Sequence, residues 1–236
     1  MTLKNSQTCI VLAGGLGTRL RGVIADRPKC LAPIGDRPFL SLLVEKLVAS
    51  GVTDVVLSLG FMADKIIDML DTLNVGASIR YVVEEELLGT GGAILNAFKT
   101  QGLDEALVVN GDSYLEGDLS GMLPSLNRAN GELFRMALTR VENRARFGGV
   151  DIDATGKVTG FLEKGQTSAG YINAGIYRLC SDALPWENTS AFSLESVVLP
   201  KLAQRGNLTG LAVEGEFTDI GVPDDYFLFN ARHGNR

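Results

Sequence analysis

A glycine-rich turn near the start of the chain is accompanied by two cations of suitable type to bind phosphate, Arg19 and Lys29. The stretch Leu12-Ala13-Gly14-Gly15-Leu16-Gly17-Thr18-Arg19 is followed by Arg27-Pro28-Lys29. Glycine lets the backbone approach a phosphate with its N–H groups free, while arginine supplies a planar fork and lysine a mobile point charge. The pattern therefore predicts a cradle for a nucleoside triphosphate.

Two other phosphate-binding motifs are absent from this turn. A Walker A loop places Lys-Ser or Lys-Thr after its last glycine, whereas Thr18-Arg19 follows Gly17 here. A dinucleotide fingerprint needs a third glycine where Leu20 stands, and an acid closing the second strand where Leu59-Gly60-Phe61 stands. A P-loop NTPase and a dehydrogenase are therefore disfavoured.

The elements that must position these residues alternate in the first half of the chain. Short apolar runs predict strands at 8–13, 53–59, 78–84 and 105–110, and helical periodicity predicts helices from Phe39 to Gly51 and over 62–73. This order indicates an α/β fold with a mostly parallel sheet covered by helices, and ligands of such sheets bind at the carboxyl edge where the glycine turn lies.

The second half has a different rhythm. Short β-rich runs predict strands at 133–142, 147–152, 157–162 and 171–179 in an antiparallel region, then a helix over 193–204, a strand near 208–213 and a terminal helix from Pro223. No linker is evident. We therefore expect a single domain over 1–236, with a nucleotide-binding half at about 1–130 and a half at about 131–236 for the second substrate.

Composition narrows the partners and the chemistry. The 236 residues have 45% hydrophobic side chains and a net charge of −6, which argues against nucleic-acid binding. No apolar run reaches membrane-spanning length, and residues 1–7 are too polar for a signal-peptide core, so we expect a cytoplasmic protein without membrane contact.

Cysteine and histidine exclude several further classes. Cys9, Cys30 and Cys180 are odd in number and scattered, which fits neither a disulfide framework nor a zinc site. The one histidine, His233, lies in a C-terminal tail that we expect to fray. Histidine-dependent hydrolysis and His-ligated zinc are thus improbable, and the chemistry must rest on carboxylates, amines, guanidinium and metal.

With these residues in hand, the chain resembles the sugar nucleotidyltransferases, also called nucleotide-sugar pyrophosphorylases. The resemblance covers essentially the whole chain. It lies in the opening Leu12–Leu20 with the Pro28-Lys29 that follows, and in Leu88-Gly89-Thr90-Gly91-Gly92-Ala93, Asn110-Gly111-Asp112, Glu163-Lys164, Asn173–Tyr177 and Asp219–Pro223. Within that family it looks most like the D-glycero-α-D-manno-heptose 1-phosphate guanylyltransferases, with mannose 1-phosphate guanylyltransferases next. One departure is Cys30, where the family usually has proline.

The resemblance implies a Rossmann-like, mostly parallel mixed sheet flanked by helices, with a small β-rich sugar-binding portion. It implies transfer of a nucleotide from GTP or another NTP to a sugar 1-phosphate, by a monomer or homodimer. The nucleotide would contact Leu12, Ala13, Gly14, Gly15, Gly17, Thr18, Arg19, Lys29, Glu84, Gly89 and Thr90. Arg19 and Lys29 would act on the triphosphate, although solvated surface positions are the common fate of such cations.

Two aspartates are candidate ligands of Mg²⁺. Asp112 follows the apolar strand at 105–110, so its carboxylate should emerge beside the glycine turn, and Asp219 is the second candidate. Taken singly, each also fits a plain structural position, a turn residue for Asp112 and a helix-entry residue for Asp219.

The sugar 1-phosphate pocket is assigned by resemblance. Lys164 would bind the phosphate as a catalytic group, and Glu163 the sugar hydroxyls; alone, Lys164 would pass for a salt-bridged strand end. The other residues implied are Asn110, Gly148, Asn173 and Gly175.

The base and the sugar stay open at this level. By resemblance Glu84 reads the base, and one carboxylate can accept both N1–H and the N2 amine of guanine. The run Glu84-Glu85-Glu86 could equally be a solvated edge. Guanine is favoured over uracil, heptose is not separable from mannose, and a module that binds a nucleotide-sugar without turnover is the alternative outside enzymes.

Overall fold

The chain forms two compact units in a computed structural model that describes residues 7–20, 22–70, 73, 75–188 and 190–234. The first unit comprises Met1–Leu87, Val109–Tyr114 and Thr218–Arg236, and the second comprises Leu88–Val108 and Leu115–Phe217. The predicted single domain, with halves meeting near residue 130, stays a prediction.

The strands are short, as in most α/β proteins. They are β1 Thr8–Leu12, β2 Pro33–Ile34, β3 Arg37–Pro38, β4 Asp54–Leu59, β5 Ser78–Val83, β6 Glu105–Asn110, β7 Ser113–Leu115, β8 Phe134–Val141, β9 Gly149–Ile152, β10 Val158–Leu162, β11 Gly170–Cys180, β12 Leu208–Ala212 and β13 Phe217–Asp219. The α-helices are α1 Phe39–Ala49, α2 Ala63–Leu70, α3 Gly89–Gln101, α4 Leu199–Gln204 and α5 Pro223–His233. Parallel strands with helices in the first unit, and a mixed set of strand pairs in the second, confirm the predicted fold class.

In the first unit, the sheet is parallel. Strand β1 pairs with β4, placing Thr8 opposite Asp54, and β4 pairs with β5 in the same direction. Cys9, Ile10 and Val11 are fully buried, as expected for parallel strands covered on both faces. The carboxyl ends of β1, β4 and β5 therefore meet at one edge, where the glycine turn begins.

Helices of the first unit pack by one apolar face. Helix α1 buries Phe39, Leu43 and Leu47 and ends before Gly51, as predicted. Helix α2 ends at Leu70; residues 71 and 72 of its predicted range lie outside the described residues.

The expectation that His233 lies in a fraying tail is wrong. Helix α5 continues to His233, whose ring stacks on Phe229 with centroids 4.2 Å apart. Aromatic stacking within a helix at this spacing holds the last turn in place.

In the second unit, strand pairing is mixed. The antiparallel pairs β8 with β11 and β9 with β10 confirm the predicted antiparallel region. Strand β12, however, pairs with β8 in parallel. The chain reaches β12 from β11 through the predicted helix, which is a π-helical turn at Leu194–Val198 followed by α4. Because β11 runs antiparallel to β8, the reversal between β11 and β12 makes β12 parallel to β8.

Helix α3 has no counterpart among the helices predicted from the sequence. It begins at Gly89 and contains Gly91 and Gly92 in its first turn, although glycine disfavours helix interiors by roughly 1 kcal/mol relative to alanine. Burial of Ile94, Leu95 and Phe98 holds it in place.

Candidate active site

The glycine turn leaves strand β1 at the carboxyl edge of the parallel sheet. The N–H of Ala13 donates to the carbonyl of Ser58 on β4 at 2.8 Å, and the carbonyl of Gly14 accepts from Phe61 N–H. Gly17 has a φ of +59°, a left-handed conformation that favours glycine. The turn is thus fixed to β4 by hydrogen bonds while its tip faces outward.

A cavity of about 180 Å³ lies over this turn. Most of the residues assigned from sequence to the triphosphate line it, and Gly111, Gly221 and Cys30 join them. The lining comprises Leu12, Ala13, Gly15, Gly17, Thr18, Arg19, Lys29, Cys30, Gly111, Asp112 and Gly221. Arg19 and Thr18 are exposed at its rim, so a bound anion can reach the guanidinium without displacing protein.

Lys29 occupies the centre of the polar wall. Its ammonium donates to Oδ2 of Asp112 at 2.5 Å and lies 3.5 Å from Oδ1 of Asp219. The Lys29 side chain is only 12% exposed, because it runs across Gly221, where any side chain would overlap the ammonium. One cation therefore contacts both predicted metal ligands.

Backbone hydrogen bonds bring the two aspartates together. Gly111 N–H donates to the Leu12 carbonyl, which fixes the segment after β6 beside the glycine turn. Ile220 N–H then donates to the carbonyl of Asp112 at 3.0 Å, so the segment after β13 is tied directly to it. Ser113 Oγ donates to Oδ1 of Asp112, and Gly221 N–H donates to Oδ1 of Asp219 at 2.8 Å.

The two predicted metal ligands supply fewer protein donors than a site built wholly from side chains. In the described ranges, no group of three or more His, Cys, Asp or Glu side chains is placed to hold a metal. Magnesium, however, is commonly held by one or two carboxylates, with phosphate oxygens and water completing the shell. Asp112 and Asp219 match the share that a protein supplies when a bound phosphate supplies the rest.

Glu84 lies on the other side of the turn, beyond the end of β5. Its N–H donates to the Leu59 carbonyl at 2.8 Å, and its Oε1 accepts from Ser58 Oγ at 3.2 Å. A methyl group at Gly14 would lie 3.2 Å from that same Oε1. The carboxylate is therefore packed against the backbone of the predicted nucleotide loop.

Cys30 contributes a thiol to the cavity wall rather than a nucleophile. Burial raises the pKa of Cys30 to about 12, with the nearby Asp112 carboxylate acting in the same direction. The thiol thus stays protonated near neutral pH and is a poor nucleophile.

In the second unit, the block around Gly89 and Thr90 is engaged by its own chain. The N–H groups of Gly91 and Gly92 donate to the Phe192 carbonyl. Thr90 Oγ1 donates to Glu195 at 2.7 Å and accepts from Leu194 N–H. The Thr90 hydroxyl is thus held by two partners of its own chain.

The residues assigned to the sugar phosphate are held within separate local structures. Gly148 packs against the end of β10, where a methyl group would lie 2.8 Å from the Leu162 carbonyl oxygen. Glu163 and Lys164 follow that strand and are exposed, whereas Asn110 ends β6 and is half-buried.

Asn173 lies at an irregularity in β11. The pairing register with β8 shifts between Asn173 and Tyr177. Within this bulge the Asn173 amide donates to the Tyr177 hydroxyl at 2.8 Å and accepts from Gly175 N–H at 2.9 Å. Gly175, at a φ of +69°, supplies the turn, so the Asn173 amide is oriented by both partners.

Sequence reasoning missed several residues of the first unit's site. Gly111 and Gly221 lie within blocks that carry the resemblance and could have been found there, and Cys30 directly follows one of them. Ser58 and Ser113 could not be found in this way, because a lone serine on a strand has no sequence pattern that indicates its hydrogen-bond partner.

Comparisons with known proteins show the family to which this chain belongs. The sequence model described as "Nucleotidyl transferase" matches residues 8–235. The chain belongs to the nucleotidyl transferase family. Membership confirms the predicted class of enzyme.

Two relatives within the nucleotidyl transferase family resemble the chain over nearly its whole length. It is 36% identical to the D-glycero-alpha-D-manno-heptose 1-phosphate guanylyltransferase of Campylobacter jejuni, over 93% of this chain and 97% of the relative. Identity to the enzyme of the same name from Aneurinibacillus thermoaerophilus is 37%, over 92% of this chain and 94% of the relative. The resemblance stated from the motifs is confirmed.

A solved structure supports the same fold. HddC from Yersinia pseudotuberculosis superposes with a TM-score of 0.84 at 36% identity, covering 96% of this chain and 99% of that chain. HddC complexed with GMP-PN gives a TM-score of 0.82 at 34% identity, with the same coverage. Among the described residues, every helix is too short or too polar to cross a membrane.

Proposed function

We propose that this chain transfers GMP from GTP to D-glycero-α-D-manno-heptose 1-phosphate, giving a GDP-sugar and pyrophosphate. The observation that carries the proposal is the similarity, along nearly the full length of both chains, to two guanylyltransferases of that name. The cavity over the glycine turn supports it, because a cation and two carboxylates converge there.

The nucleotide binds in the first unit. Backbone N–H groups of the turn at 13–19 face the triphosphate, and Arg19 and Lys29 neutralise its charge. Glu84 accepts hydrogen bonds from guanine. Gly89 and Thr90 belong to the second unit, and their contact with the nucleotide stays a prediction from the resemblance.

Asp112 and Asp219 would hold Mg²⁺. Their carboxylates fit this ion because both are oxygen donors within reach of one ammonium, beside a cavity that phosphates can enter. When bound, the ion would withdraw charge from the α-phosphate and the leaving pyrophosphate. Lys29 neutralises the same carboxylates and also faces the cavity.

The sugar 1-phosphate binds through the second group of residues. Lys164 pairs with its phosphate, and Glu163 and Asn173 bind hydroxyls; the assignment of Asn110 to this pocket stays a prediction from the resemblance. Gly148 and Gly175 permit close approach of the sugar ring. Asn173 is well suited because Tyr177 and Gly175 fix its amide plane.

The reaction needs alignment more than acid–base chemistry. A phosphate monoester has a second pKa of about 6, so the attacking oxygen is already anionic at neutral pH. That oxygen forms a bond to the α-phosphorus of GTP. In line with this attack, the bond between the α-phosphorus and the oxygen that bridges it to the β-phosphate breaks, and pyrophosphate leaves. Arg19, Lys29 and Lys164 overcome the repulsion between the two anions.

The proposal places the enzyme in the cytoplasm, where nucleoside triphosphates are made, as a monomer or homodimer acting on small molecules. Light scattering on the purified protein decides between the two oligomeric states.

The test is pyrophosphate release with each of four NTPs against heptose, mannose, glucose and N-acetylated sugar 1-phosphates. We expect the highest kcat/KM with GTP and the heptose substrate. A preference for mannose 1-phosphate, or for UTP or dTTP, would change the substrate that we assign but leave the type of reaction unchanged. Tight binding of a nucleotide-sugar without turnover of any pair would overturn the proposal in favour of a sensor.

A further inference from the structure

One buried hydroxyl links the nucleotide loop to the residue assigned to the base. Ser58 lies on β4, and it is only 1% exposed. Its Oγ donates to Oε1 of Glu84 at 3.2 Å, while its carbonyl accepts from Ala13 N–H at 2.8 Å. A single residue therefore contacts both the start of the turn and the Glu84 carboxylate.

The backbone around Glu84 is fixed, but the end of its side chain needs a separate constraint. Glu84 N–H is bonded to Leu59, so the position of its Cα is set by strand β4. Rotation about the last bond of a glutamate side chain is broad. The bond from Ser58 to Oε1, with Oε1 packed near Gly14, restricts that rotation.

This restriction matters for reading guanine. A carboxylate that accepts both N1–H and the N2 amine must present its two oxygens in the plane of the base, because both bonds depend on direction. A rotated carboxylate can still accept from N1–H alone. The orientation of the Glu84 carboxylate therefore decides how much the hydrogen bond from the N2 amine contributes to guanine binding.

We propose that Ser58 is a positioning residue that sets base selection by fixing the plane of the Glu84 carboxylate. The inference rests on the proposed function, in which GTP is the donor and Glu84 contacts its base. Ser58 itself touches no reacting atom.

The test compares GTP with ITP, which keeps N1–H and lacks the N2 amine. We expect the wild-type chain to prefer GTP in kcat/KM, and Ser58→Ala to reduce that preference about fivefold to tenfold, the effect of one charge-assisted hydrogen bond. The change should lie in KM for GTP and leave kcat within about twofold. Ser58→Thr, which keeps the hydroxyl, should retain most of the preference.

Ser50→Ala is the matched control. Ser50 Oγ donates to the Lys46 carbonyl at 2.9 Å at the end of α1, in the same unit and away from the cavity. Its loss should leave the ratio of GTP to ITP unchanged. An equal loss with both nucleotides in Ser58→Ala would indicate a structural role and overturn the inference.

Two results separate this inference from the proposed function. Turnover of GTP with an unchanged preference in Ser58→Ala overturns the role of Ser58 and leaves the transfer reaction standing. Absence of turnover in the wild type overturns the transfer reaction, and direct binding of GTP and ITP to both variants then measures the Ser58 effect. If Ser58→Ala does not fold, Ser58→Cys, which exchanges the hydroxyl for a weak donor, should show the same loss of preference.

Discussion

Two glycine-rich segments of this chain have similar composition and opposite surroundings. In the first unit, the turn at 13–19 leads to a cavity with a lysine and two aspartates. In the second unit, the block Leu88–Ala93 has its missing side chains replaced by another part of the same chain. The difference shows that a glycine-rich motif does not by itself indicate whether the space beside it is open to a ligand or filled by the protein.

In the turn, the space left by glycine stays open. Among the described residues beyond its two chain neighbours, a methyl group at Gly15 would meet no atom within 4 Å. The exposed Arg19 and the half-buried Lys29 supply charge to that space. Open space with placed cations is the arrangement that an anionic ligand needs.

In the block at 88–93, the space is filled. A methyl group at Gly91 would lie 2.5 Å from Cδ2 of Phe192, and one at Gly89 would lie 2.6 Å from the Phe192 carbonyl oxygen. The hydrogen bonds from Gly91 and Gly92 go to the same carbonyl. These glycines admit a neighbouring segment, so their first effect is on stability.

The largest expected effect lies in the turn region. Asp112→Asn removes one carboxylate from the pair on Lys29, and we expect turnover to fall by on the order of a thousandfold, as for other groups that stabilise charge in phosphoryl transfer. Steady-state pyrophosphate release measures it. Asp153→Asn is the control, since Asp153 caps an exposed turn through Thr155. Wild-type turnover in Asp112→Asn would remove Asp112 from the site.

The next effect lies in the filled block. Gly91→Ala forces a methyl group into the Phe192 ring, and overpacking of this kind costs about 1–3 kcal/mol, against a helix gain of about 0.5–1 kcal/mol. We expect a net loss of stability in urea unfolding. In a Phe192→Leu background, Gly91→Ala should lower the free energy of unfolding by less, and a double-mutant cycle measures this difference. Equal costs in both backgrounds would contradict the filled space.

A smaller effect is expected at Thr90. Thr90→Val removes a donor to Glu195 and an acceptor for Leu194 N–H, and each net hydrogen bond contributes about 1 kcal/mol. We expect stability to fall by about 1–2 kcal/mol, while KM for GTP changes less than about twofold. A large rise in KM at unchanged stability would instead place the hydroxyl on the nucleotide.

Much of the fold could be predicted because its strands are buried on both faces. The runs at β1, β4 and β6 are apolar almost without interruption, and their bounds agree with prediction to within a residue. Helix α3 could not be predicted in this way. Its glycines argue against a helix locally, and burial by distant residues, invisible in a short window, outweighs that preference.

The site divides along the same line. Asp112 and Lys29 were predicted individually, because each follows a recognisable strand or turn. Their hydrogen bond joins residues 83 positions apart, and the bond of Ser58 to Glu84 joins neighbouring strands. Which side chains meet depends on sheet order and register, which local patterns do not encode.

Gly15→Ala is the counterpart of Gly91→Ala, because it adds the same methyl group where the space beside the glycine is open. In the part of the chain that the structure describes, no atom beyond the two chain neighbours lies within 4 Å of the added methyl group, and the φ of Gly15 is not positive. The free energy of unfolding should therefore change by less than about 0.5 kcal/mol. The methyl group nevertheless stands in the cavity, where a phosphate would approach the backbone. We therefore expect KM for GTP to rise several-fold at constant stability, measured by steady-state kinetics and urea unfolding on the same preparation. Lost stability with unchanged KM would mean that the turn, like the block at 88–93, accommodates its own chain.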